Sequence, residues 1–197
     1  MKVKRVLGVD YGSKMAGTTV VAFRSGKEID FRASLKGKDA DMMVLKAVEE
    51  LKPDLIAIDA PLSLPGVFTG LAGCYDYFYR QCDKLTKAMS PMFLGGLTAR
   101  AMKLAAQLRA TGVEVIEAYP VKAGVDLGLK EFGYRTKAQE DDELLQLLLK
   151  QTGMDLTEHQ ALSGHHVDAV LALFIAEQFI LDKAGQLGDE VEGVIYF

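Results

Sequence analysis

Apolar positions in the first third of the chain fall in short β-branched runs separated by glycine. Residues 6–9 and 18–23 read as strands, with Gly12 and Gly17 in the turn between them. Ser25, Gly26 and Lys27 predict a hairpin turn into a third strand over 28–35. There Ile29, Phe31 and Ala33 alternate with Asp30, Arg32 and Ser34, as on a half-buried edge. From Asp39 the period lengthens, and Met42, Met43, Leu45, Val48 and Leu51 predict an amphipathic helix capped near Asp39 and ended before Pro53. Leu55–Asp59 is apolar on both faces until its last residue, the pattern of a central parallel strand reached through a helical crossover.

Residues 60–92 show the least regular pattern. Pro61 and Pro65 enclose Leu62, Ser63 and Leu64, and Gly66, Gly70 and Gly73 punctuate the loop that follows. Residues 74–88 read as a helix carrying Arg80, Asp83, Lys84 and Lys87 among Tyr75, Tyr77, Phe78 and Tyr79. A clear helical face returns over 98–110, with Ala99, Met102, Leu104, Ala105 and Leu108, and ends at Gly112. Residues 113–118 predict a fifth strand that closes on Glu117, Ala118, Tyr119 and Pro120. Beyond Pro120 the pattern is helical, over 139–151 and again over 168–182. Residues 193–197 add either a short terminal strand or a docked apolar tail.

This order predicts an α/β fold: a mixed five-stranded sheet with strand order 3-2-1-4-5 and helices on both faces. There is no repeat or linker-like run, so the whole chain, 1–197, is expected to form one domain. In that sheet the carboxyl ends of strands one, four and five point the same way. Asp10, Asp59 and Glu117 therefore share an edge, and a helix packed there brings Asp168 to them.

Composition narrows the function classes. Formal charge is -4 over 197 residues and the sequence pI is about 5.4, which argues against a broad basic footprint for duplex phosphates. Cys74 and Cys82 form neither a zinc pattern nor a disulfide framework, so reduced thiols and a cytoplasmic location are expected. The amino terminus meets Asp10 too early for a signal peptide, and no apolar run is long enough to span a membrane. Assembly into a homo-oligomer is left open.

Carboxylates gathered at one sheet edge repel each other unless a hard divalent cation compensates them. Two such cations can orient an attacking water and stabilise the leaving oxygen of a phosphodiester. Taken singly, an Asp that ends a strand is as readily a turn former or helix cap. The topology, which brings acids from distant segments together, is what favours a metal site.

Val9-Asp10-Tyr11-Gly12, the segment from Ile56 through Asp59-Ala60-Pro61-Leu62 to Pro65, Arg80-Gln81-Cys82-Asp83, Glu117-Ala118-Tyr119-Pro120, Val167-Asp168-Ala169 and Glu192-Gly193-Val194-Ile195 together resemble the RNase H-like predicted nucleases, a family of unknown function. The resemblance spans nearly the whole chain and implies a ribonuclease H-like fold. It also implies nuclease activity on nucleic acid with Mg2+ or Mn2+ held by Asp10, Asp59 and Asp168. Many relatives in the wider superfamily carry a second acid at the start of the last helix, where this chain has one. Glu117 or a histidine is therefore expected to complete the shell.

Accessory residues follow from position. His165 and His166 precede Asp168, with His159 upstream. One of the pair is expected to face the acids, and His166 is taken as assisting proton transfer; the plainer alternative is a pair of polar helix-start residues. Lys14, Arg80 and Lys84 are candidate phosphate contacts, although Arg80 and Asp83 at i, i+3 equally suit a local ion pair. The aromatics at 75–79 either stack on single-stranded bases or divide between core and surface.

Two other functions fit parts of the pattern. Asp10-Tyr11-Gly12-Ser13 with Gly17-Thr18-Thr19 is similar to the phosphate-binding hairpin of actin-like and sugar-kinase phosphotransferases, which need a second lobe that 197 residues leave little room for. A non-catalytic RNase H-like binding module is the third reading.

Overall fold

The computed structural model describes residues 4–136, 141–156 and 163–197. Among these residues, eight strands form one mixed sheet: β1 (Val6–Asp10), β2 (Val20–Ser25), β3 (Glu28–Ala33), β4 (Leu55–Asp59), β5 (Glu114–Ala118), β6 (Asp155–Leu156), β7 (Gln186–Asp189) and β8 (Gly193–Tyr196). The order is β6-β3-β2-β1-β4-β5-β8-β7. The expected five-strand order 3-2-1-4-5 is present as a contiguous part, but the sheet is wider than five strands. Of its extra strands, β8 falls in the stretch 193–197 read as a terminal strand or docked tail, whereas β6 and β7 leave little trace in the sequence. β6 has two residues, and β7 is a mostly exposed stretch containing Gly188, so neither shows apolar alternation.

Among the described residues, seven α-helices accompany the sheet: α1 (Ala40–Leu51), α2 (Gln81–Thr86), α3 (Pro91–Leu94), α4 (Gly96–Ala110), α5 (Pro120–Asp126), α6 (Asp141–Thr152) and α7 (Gly164–Ile180). Asp39 caps α1 by accepting the Asp41 and Met42 N–H groups. The helix read over 74–88 shrinks to α2. The Asp76 carboxylate accepts the N–H groups of Phe78 and Tyr79 and turns the chain before a helix can start. The reading over 139–151 corresponds to α6, and its first two residues, like His159, lie outside the described residues.

Alternation along the strands divides the core in two. Leu7, Val9, Ile56, Ile58 and Val115 face α1 and α4. Leu55, Ala57, Ile116 and Ala118 face the other way, toward α7. That helix is buried on nearly every side by the sheet, α5 and α6, which is why its sequence is apolar all round. It also begins four residues earlier than expected, placing both histidines in its first turn and Asp168 in its second. Among the described residues, no helix is long and apolar enough to cross a membrane.

Candidate metal centre

The site starts from strand register. β1 and β4 are parallel neighbours in which Asp10 pairs with Asp59. Both acids therefore end their strands side by side and on the same face, because side chains repeat every two residues along a strand. Gly8 shares that face with Asp10, and it is what lets α7 come close. A Cβ on Gly8 would lie 2.0 Å from the Leu173 nitrogen and 2.4 Å from the Ala169 carbonyl oxygen. With its backbone laid on β1 at this point, α7 delivers Asp168, the residue before Ala169, to the strand ends. One ligand oxygen from each of Asp10, Asp59 and Asp168 lies within 4.8 Å of the others.

The charges are only partly compensated. The two oxygens of Asp168 accept hydrogen bonds from the Tyr134 hydroxyl (2.6 Å) and the Arg135 guanidinium (2.7 Å). His165 Nδ1 lies 2.7 Å from Asp10 Oδ2, and since a carboxylate only accepts, Nδ1 carries the proton. Burial, and then the neighbouring Asp10 and Asp168 charges, hold Asp59 well above the usual carboxylate range. Asp168 is pushed up to about 6 by burial, with Arg135 and Tyr134 pulling against the rise. The hydrogen bond to Asp10 raises the His165 imidazole above its ordinary value. Three carboxylates facing one guanidinium and one imidazole make a set of oxygen donors with room for a hard cation.

Other expected participants stand elsewhere. Glu117, next to last in its strand, pairs in register with Ile58 rather than Asp59, so it leaves the opposite face of the sheet from the aspartates although it lines the same cleft. There it meets Arg80, which is fully buried. The guanidinium reaches Glu117 Oε2 at 2.7 Å and Oε1 at 2.6 Å, and Asp83 Oδ1 at 2.7 Å. The Leu62 N–H and the Ser63 hydroxyl complete the cluster. Burial raises the proton affinity of Glu117, and the guanidinium opposes it through two short contacts. Arg80 is therefore a structural ion-pair centre and not a phosphate contact.

Lys14 is paired with Asp39 at 3.0 Å and Lys84 with Asp76 at 2.7 Å. His166 faces away from the acids. Its Nδ1 accepts the Ser163 N–H at the start of α7, and its ring packs edge-on against Phe31. Of the histidine pair, His165 takes the place expected of His166. Tyr134 and Arg135 escaped the sequence reading because they lie in a short irregular stretch, with Arg135 at φ 61°, and no periodicity signals them.

The acids open into a cleft of about 1000 Å³ whose lining also includes His165, Arg135, Tyr119, Tyr79 and Phe93. The glycine turn after Asp10 is closed on itself. The Gly12 N–H donates to Thr19 Oγ1 at 3.0 Å, which withdraws a backbone donor that a phosphate-binding hairpin would offer. The sequence matches no family model and no curated protein.

Proposed function

We propose that the protein is a divalent-metal-dependent nuclease of ribonuclease H-like architecture, hydrolysing phosphodiester bonds of nucleic acid. The observation that carries this reading is the convergence of Asp10, Asp59 and Asp168 within 4.8 Å at the ends of two parallel strands and the second turn of α7. The contiguous 3-2-1-4-5 order within the sheet supports it.

Asp10, Asp59 and Asp168 would hold Mg2+ or Mn2+, which when bound supplies Lewis acidity and a nucleophilic water. The chain's own residues then have defined tasks. Asp10 fixes His165 with Nδ1 as donor, leaving Nε2 to take a proton from the attacking water or return one to the leaving oxygen. Tyr134 and Arg135 orient Asp168, and the half-exposed guanidinium of Arg135 is placed to meet a phosphate oxygen.

The test is cleavage of labelled single-stranded, double-stranded and branched substrates with Mg2+ or Mn2+. Metal-dependent cleavage lost in Asp10→Asn is the expected result, and full activity in that variant would overturn the proposal. Calorimetric titration with Mn2+ separates it from a non-catalytic module, which would show no heat, and thermal stabilisation by ATP would favour a phosphotransferase.

A further inference from the structure

Beside the acids, a group of large apolar side chains stands in solvent. Phe93 is 63% exposed, Met89 62% and Phe78 51%, and Phe93, Met89 and Tyr79 line the cleft that contains the three aspartates. Contiguous exposed apolar surface of this kind marks a binding site.

The wall is built rigidly. The Phe93 ring lies 5.5 Å from Phe78 and 5.9 Å from Tyr79, tilted to one and edge-on to the other. The Ser90 hydroxyl accepts the Met92 N–H and donates to the Phe78 carbonyl, clasping the two aromatic segments together. Thr98 Oγ1 bonds the Pro91 carbonyl at 2.7 Å and fixes the four-residue helix that carries Phe93. Next to Tyr79, Arg80 ties the wall to Glu117 on β5. The buried ion pair thus holds the aromatic rings at the sheet edge where the acids sit.

Cations near the cleft are few. Of the cationic side chains that line it, Arg135 is paired with Asp168 and His165 with Asp10. Lys14 and Lys84, paired with Asp39 and Asp76, and the enclosed Arg80 do not line it. Lys87 is exposed, lines the cleft and has no ion-pair partner among the described residues. A duplex hides its base faces in the stack and presents two rows of phosphates, which this surface cannot match with charge. An unpaired nucleotide offers a base face to an aromatic ring and needs few cations.

We propose that Phe93 and Tyr79 receive the base of an unpaired nucleotide flanking the scissile phosphate, with Lys87 against a neighbouring phosphate, so that the substrate class is single-stranded nucleic acid. This rests on the nuclease reading of the same cleft.

The experiment uses the full chain with Mn2+. Cleavage of fluorescein-labelled oligothymidylate and oligouridylate is compared with the matching duplexes and with an abasic strand, and anisotropy of the same labelled strands is read without metal. The wild type is expected to prefer the base-bearing strands over duplex and over the abasic strand. Phe93→Ala is expected to lower both that preference and strand affinity about 5- to 100-fold. Phe93→Trp retains them. Tyr75→Ala, an 85% exposed ring outside the cleft lining, serves as the unaffected control. A preference for duplex, or wild-type strand selectivity and affinity in Phe93→Ala, would overturn the proposal. Absence of cleavage of every substrate counts against the nuclease reading instead. Anisotropy then decides the stacking, since Phe93-dependent strand binding supports it and no binding overturns it.

Discussion

His165 Nδ1 and Asp10 Oδ2 lie 2.7 Å apart, joining the first turn of α7 to the last residue of β1 across 155 positions of sequence. His166, the next residue, spends its ring on the start of its own helix. Adjacent histidines therefore have opposite tasks. His165→Ala should lower metal-dependent cleavage about 10²- to 10⁴-fold, the usual worth of a positioned proton-transfer group, with little change in melting temperature. His166→Ala should cost about 1 kcal/mol of stability, as loss of a helix-start interaction does, and leave the rate near wild type. Paired kinetic and thermal-melt measurements check both.

Stability of the metal-free protein should fall between about pH 4 and pH 7. Asp168 is pushed from 3.8 to about 6 in the folded state, so the folded protein binds more protons than the unfolded chain in this window. Its contribution is fully present below the unfolded value and is lost as pH rises through the folded one, by about 2–3 kcal/mol. Asp59 shifts in the same direction. Thermal melts across this range check the slope, and Mn2+ should raise the melting temperature more at pH 7.5 than at pH 5.

Asp59→Asn should stabilise the metal-free protein at pH 7.5 by about 1 kcal/mol, because it removes a half-buried charge set beside two like charges. The same variant should lose the calorimetric heat of Mn2+ binding. A substitution that strengthens the fold while abolishing ligation separates a metal site from a structural acid cluster.

Arg80→Ala should destabilise the protein by about 3–5 kcal/mol, since it leaves Glu117 and Asp83 buried without their partner. Were Arg80 a surface phosphate contact, only substrate affinity would change. Urea unfolding of the variant distinguishes the two.

Gly8→Ala should cost about 3 kcal/mol or more, because the added methyl meets helix backbone that cannot rotate aside. Lifting α7 from β1 also withdraws Asp168 from Asp10. Weaker Mn2+ binding should therefore accompany the lower melting temperature.

Periodicity was sufficient where an element buries one continuous face. The strands at 6–9 and 55–59 and the helices at 40–51 and 98–110 were legible as elements for that reason, but the helix faces were read partly out of phase. α1 buries Val44, Ala47 and Val48 while Met42 is exposed, and α4 buries Thr98 and Ala101 while Ala99 is exposed. It was insufficient where local polar groups override propensity, as Asp76 does before α2, or where a strand is too short or glycine-rich to carry a pattern, as in β6 and β7.

By itself the sequence determined that three acids end apolar elements and that their elements meet at one edge of an α/β sheet. Only tertiary structure decided which face each acid occupies. Side-chain direction reverses with a one-residue change of register, so pairing with Asp10 puts Asp59 in the cluster and pairing with Ile58 sends Glu117 to Arg80. The same holds for the counter-charges. Tyr134, Arg135 and His165 reach the aspartates through loop path and helix phase, which are set by long-range packing rather than by any local pattern.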